Sequence, residues 1–127
     1  MSTYKGLWVQ NDSKSPPNVT VTVDDLPLPV IDSDLPGAGQ SFSWGYLSTW
    51  ANRKMLAVSL LYHELVIEMD LPKATAHRYT VTMADTFLSD RVEKLDKQWS
   101  MTSADIQKWI QVKFPHVWAE INTKATV

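Results

Sequence analysis

The hydrophobic pattern of this chain changes period near residue 50, from about two residues to about 3.6. Val19-Thr20-Val21-Thr22-Val23 alternates strictly and is β-branched throughout, which predicts a strand with valines on one face and threonines on the other. Tyr4 to Val9 reads as an earlier strand. Asn11 to Asn18, with Asp12, Ser13 and the Pro16-Pro17 pair, supplies turn chemistry, so the two strands are expected to pair as a hairpin with a long loop. Asp24-Asp25 ends the second strand. Leu26-Pro27-Leu28-Pro29-Val30 must be extended, because each proline pushes its predecessor out of the helical region, and without an N–H at two positions it suits only an edge or an arm. Asp32 to Gln40 is a loop, and Phe42 to Tyr46 is expected as a short strand whose aromatics anchor the turn into the helical part.

From there the spacing is helical. Ser48 or Thr49 is positioned to cap a helix from Trp50 to about Ile67, with Ala51, Met55, Val58, Leu61, Tyr62 and Leu65 on one face. A second helix starts near Pro72, a residue tolerated in a first turn, and carries Ala76, Tyr79, Met83, Phe87 and Leu88 as far as Val92 or Leu95. Trp99 stands alone in a polar linker. Thr102, with Asp105 three places on, resembles a capping box and opens a third helix that runs to about Lys113 through Ile106, Trp109 and Ile110. His116 to Ile121 is expected as a strand or one more helical turn, and Asn122 to Val127 as a frayed end.

Strands first and helices afterwards predict a single α+β domain over residues 1–127. It would have a small antiparallel sheet in the N-terminal third and about three helices packed on one face. Its parts are a strand-rich 1–47, a helical 48–114 and a short tail 115–127. At 127 residues, 44% hydrophobic and 20% charged, the chain is large enough and apolar enough to build one core without staples. It has no cysteine, which removes disulfides, thiolate metal sites and a thiol nucleophile. No run approaches the ~18 apolar residues of a membrane span, and the first residues lack the apolar core of a secretory signal, so a cytoplasmic protein is expected. Net charge is −2, split as −3 over residues 1–47 and +1 over the rest, without the basic excess of a nonspecific nucleic-acid binder.

The aromatic segment Phe42, Trp44, Gly45 and Tyr46 carries a resemblance when read with its neighbours. Tyr4-Lys5-Gly6, the valine-rich strand and Leu26 to Leu28 precede it. The helix from Met55 to Leu61 and the run Phe87, Arg91, Val92 and Leu95 follow in order, and Trp99, Thr102, Asp105, Ile106 and Trp109 close the series. Together, over roughly residues 4 to 110, these resemble domain of unknown function family number 6166, small proteins of bacteria and phages. Where that family has a glycine-rich turn ending in Pro and Gln, this chain has Leu47-Ser48-Thr49-Trp50-Ala51-Asn52, so if that turn is the family's working part, this chain has altered or lost it. The resemblance implies a mobile-element context and no reaction.

Candidate chemistry is sparse. His63-Glu64 begins a zinc-protease pattern, but Ile67 stands where the second histidine belongs, so the pair reads as a solvated, amphipathic helix end. His77 and His116 show no ligand spacing. Gly37-Ala38-Gly39-Gln40 lacks the Lys and Ser or Thr of a phosphate loop, and Asp24-Asp25, Asp32 and Asp34 read as turn formers. No catalytic residue, cofactor or metal is expected. Six tryptophans favour cores and interfaces, and Trp50, beside Asn52 and Arg53 at a helix start, is the best candidate for an exposed one.

The leading expectation is therefore a non-enzymatic protein-binding module using Tyr46, Trp50, Asn52 and Arg53, with a host or phage protein as partner. Small size and the context implied by the resemblance extend this to an inhibitor of a host defence complex such as a CRISPR effector. A nucleic-acid-binding role through Lys108, Lys113, Gln107 and Gln111 comes second. A small-ligand pocket lined by Tyr46, Arg53 and Tyr62 comes third.

Overall fold

The alternating segments become strands β1 (Thr3–Val9) and β2 (Asn18–Val23), paired antiparallel with Tyr4 opposite Val23 and Gly6 opposite Val21. The structure, a computed structural model, describes residues 2–9, 18–31, 42–45 and 48–125. The expected loop over Asp32 to Gln40 and most of the β1–β2 connection lie outside the described residues. Asp24 and Asp25 both adopt left-handed backbone, φ 50° and 68°, and turn β2 into the two-residue strand β3 (Leu26–Pro27). Two left-handed central residues match the right-handed twist of a hairpin. The Asp24 carboxylate also accepts the Thr3 N–H at 2.9 Å, fixing the turn to the neighbouring strand.

α1 (Trp50–His63) follows, capped by the Thr49 hydroxyl accepting from the Asn52 N–H as the sequence predicts. It does not run as an α-helix to Ile67. At Glu64–Glu68 it widens into a π-helical turn, in which the Met69 N–H reaches back five residues to the Glu64 carbonyl, and left-handed Asp70 (φ 54°) ends it. The predicted apolar stripe is also too narrow. Every residue from Lys54 to Leu61 is buried, so α1 is the central helix of the core. Lys54 is accommodated by an ion pair, its Nζ lying 3.1 Å from Asp85.

α2 (Lys73–Asp90) packs on α1 and buries Ala76, Tyr79, Met83, Phe87 and Leu88 as expected, and a 3-10 turn (Val92–Lys94) closes it. The tryptophan assigned to a polar linker is instead in a strand. β4 (Gln98–Thr102) joins β1 antiparallel, with Trp99 opposite Gly6 and Met101 opposite Tyr4, and completes the order β3-β2-β1-β4. The sheet is thus not confined to the N-terminal third, since a strand lies between α2 and α3 (Ser103–Lys113). The Thr102–Asp105 capping box is present in both directions, at 3.2 and 2.9 Å. The C-terminal segment is neither a strand nor a single turn but α4 (Pro115–Ala125), which buries Val117 and Ile121.

Among the described residues the fold is α+β, a four-stranded antiparallel sheet with four α-helices. Tyr4, Gly6, Val21, Val23, Trp99 and Met101 are buried on the face toward the helices, while Lys5, Leu7, Val9, Thr20, Gln98 and Ser100 are exposed on the other. Phe42 to Trp44 is extended without forming a strand. It lays Trp44 into the core edge-on to both Trp8 (5.9 Å) and Trp99 (5.7 Å), with its indole N–H on the Asp96 carbonyl at 2.7 Å.

Candidate functional site

Of the four residues expected to form a binding surface, Tyr46 lies outside the described residues. Trp50 is 45% exposed at the first position of α1. It is nonetheless held, because the Lys54 ammonium, one helical turn on, sits 4.9 Å from its ring centroid while also pairing with Asp85. Asn52 is committed through its backbone, its N–H to Thr49 and its carbonyl to the Ser43 N–H. Arg53 is not beside Trp50 at the surface. Its side chain is only 13% exposed and turns inward, donating from Nη1 to the Gly45 carbonyl at 3.2 Å, with Nη2 3.9 Å from Glu93. The Ser48 hydroxyl donates to the same carbonyl at 2.8 Å, and the Gly45 N–H donates to the Val92 carbonyl. Gly45 has a φ of 80°, a conformation that favours glycine. Arg53 therefore fastens the 42–45 segment to α1 and to the end of α2. Arg53 and Tyr62 stand nine positions apart on α1, about 13 Å along its axis, and neither borders the two depressions described below.

The most ordered polar cluster was not foreseen. Glu64, read as part of a solvated helix end, is fully buried. Its Oε1 accepts the Tyr4 hydroxyl at 2.9 Å and its Oε2 accepts the Gln107 amide at 2.7 Å. One carboxylate thus joins β1, the π-helical turn and α3. The Tyr4 oxygen also lies 3.0 Å from His63 Nδ1. Since the single phenolic proton goes to Glu64, His63 fills that contact by donating from Nδ1. Ser2 donates from its hydroxyl to Glu68 and exchanges backbone bonds with Ser103 at 2.9 Å in each direction, one to its hydroxyl and one from its N–H. Burial, reinforced by the Glu64 carboxylate, pushes the Tyr4 phenol far above its ordinary value. Burial lowers the pKa of His63 against the opposing pull of Glu64 and Glu68. Glu64 points inward because it continues the α-helical phase of α1, four and three places after buried Leu60 and Leu61, and the π-helical turn begins only at it.

This cluster is filled by its own side chains, and the depressions lie elsewhere. One, of about 570 Å³, is a shallow hollow on the exposed sheet face between Lys5, Leu7, Thr20, Thr22, Gln98 and Ser100. The other, of about 300 Å³, lies between the ends of α2 and α3 and is bordered by Arg91, Lys94, Lys108 and Lys113. At its edge the Asp90 carboxylate accepts the Trp109 indole N–H at 3.0 Å and lies 3.7 Å from Lys113. Among the described residues no group of three or more His, Asp or Glu is placed to hold a metal ion, and no helix is long and apolar enough to cross a membrane.

Fold and surface define an α+β protein with one sheet face open and one exposed, pinned tryptophan. No family model, no curated protein and no solved structure matches the chain.

Proposed function

We propose that this chain is a non-enzymatic protein-binding module whose contact surface centres on Trp50. One observation carries the reading: Trp50 is exposed yet already ordered by Lys54 and Asp85. A large aromatic whose rotamer is set before docking loses little freedom on binding, and tryptophan is the side chain most enriched among energetic centres of interfaces. Lys54 and Asp85 then supply a polar rim. Arg53 acts from behind, by holding the 42–45 segment that borders the surface. The partner is a host or phage protein. The narrower reading, a phage- or plasmid-borne inhibitor of a host defence complex, rests on the sequence resemblance and the size of the chain.

Affinity capture from the native host, followed by measurement of the recovered complex, tests this. Trp50→Ala should weaken binding at least about tenfold with the variant still folded, its thermal midpoint lowered only by the loss of the ring's covered area and its Lys54 contact. Equal affinity for the wild type and Trp50→Ala would take that surface out of the function.

A second reading, nucleic-acid binding, is favoured by the basic depression. In a protein of net charge −2, four of twelve cations border one hollow, and Arg91, Lys94 and Lys108 form no ion pair among the described residues. Gln107 leaves this reading, since its amide is spent on Glu64. Gel-shift affinity that falls steeply with salt, and falls further in Lys94→Glu/Lys108→Glu, is the expected outcome for it. Absent or salt-insensitive binding retires it.

A further inference from the structure

We propose that β4 is a dimerisation edge, at which the open side of Gln98–Thr102 pairs antiparallel with the same strand of a second copy about a two-fold axis at Ser100. The two edges of the sheet are treated differently. The Leu28 N–H bonds inward to the Val21 carbonyl, so the alternate residue Pro27 directs its backbone away from the sheet. Proline has no N–H to offer there, and Pro29, two residues on, repeats the device. That edge is blunted.

β4 has no such protection. The Trp8 N–H bonds to the Lys97 carbonyl and the Ser103 N–H to the Ser2 carbonyl, so odd-numbered residues of β4 face β1 and even-numbered ones face outward. The Thr102 N–H is taken by Asp105. The N–H and carbonyl groups of Gln98 and Ser100 have no partner among the described residues. Both side chains are exposed and uncharged, and the strand contains neither proline nor a charged residue.

A second copy fits this edge for two reasons. Ser100, nearest the axis, is small enough to face itself, and Gln98 faces Thr102. Because the opposite edge is blunted, association closes at two chains rather than growing into a filament. The interface is separate from the Trp50 surface and stands or falls without it.

Sedimentation over a concentration series tests the proposal. The wild type should show a monomer–dimer equilibrium below roughly 1 mM, the weak regime expected of a short edge. Ser100→Pro removes only an outward N–H, and Ser100→Lys sets like charges across the axis. Each should weaken dimerisation at least about tenfold without changing the circular dichroism spectrum. In the wild type, hydrogen exchange at the Gln98 and Ser100 amides should slow as concentration rises, a readout that requires no variant to fold. A wild type still monomeric at roughly 1 mM, or a dimer formed without added protection at those two amides, would overturn the proposal. A dimer that both variants preserve would overturn it equally.

Discussion

Gly6→Ala is expected to lower stability by about 3 kcal/mol or more, a large fraction of what a domain of this size has. Gly6 sits on β1 directly opposite Trp99, on the face toward the helices. A Cβ built there would lie 2.1 Å from the Trp99 indole nitrogen and 2.3 Å and 2.7 Å from two of its ring carbons. These are contacts no packing tolerates. The indole cannot swing away cheaply, because Trp44 meets it edge-on and Trp44 is itself tied to the Asp96 carbonyl. One methyl group would therefore disturb the Trp8–Trp44–Trp99 stack and the β1–β4 pairing together. Urea unfolding followed by tryptophan fluorescence measures the loss. Combining Gly6→Ala with Trp99→Leu should be less destabilising than the sum of the two changes, since the clash is shared. A single Gly6→Ala variant within about 0.5 kcal/mol of wild type would disprove the account.

Glu64→Ala is the second large effect, also expected at about 3 kcal/mol or more. It leaves the buried Tyr4 hydroxyl without its acceptor, at about 1–3 kcal/mol, removes the bond to the half-buried Gln107 amide, and adds a cavity where β1, the π-helical turn and α3 meet. Glu64→Gln keeps the volume but turns a donor toward one of the two donors, so an intermediate loss is expected. Tyr4→Phe removes both the bond to Glu64 and the contact with His63, and should cost about 1–3 kcal/mol. The same network sets an alkaline limit. The folded Tyr4 pKa is raised, so above pH about 10 the unfolded chain releases this proton while the folded chain keeps it. The stabilisation is complete below pH 10 and declines by up to about 1.4 kcal/mol per pH unit above it. Tyr4→Phe should remove that part of the slope. An unchanged alkaline slope in Tyr4→Phe, or a Glu64→Ala variant as stable as Glu64→Gln, would show that the cluster does not hold these elements together.

Much of this architecture could be read in advance, and the exceptions share a cause. The Val-Thr alternation, the Thr49 cap, the start near Pro72 and the Thr102–Asp105 box are local signals, decided by neighbours within a few residues, and all four appear where the pattern places them. Trp99 reads as part of a polar linker because a five-residue strand with one tryptophan has little periodicity of its own, and its partner β1 lies some ninety positions away. Nothing local marks Lys54 for burial, because its partner Asp85 sits on another helix. Arg53 was placed beside Trp50 because they are close in sequence, whereas the Gly45 carbonyl and Glu93 draw it inward.

By itself the sequence determined β1, β2 and the first three α-helices, the apolar face of the first hairpin, the blunted edge at Pro27, and the α+β class, because periodicity and capping act over a turn or a strand. Only the tertiary structure decided that Trp99 lies over Gly6, that Lys54 to Leu61 of α1 are buried all round, that Glu64 turns inward to Tyr4 and Gln107, and that Trp50 stays outside. Those outcomes depend on which distant segments meet, and a buried polar group or an exposed ring is defined by its neighbours in space rather than by those along the chain.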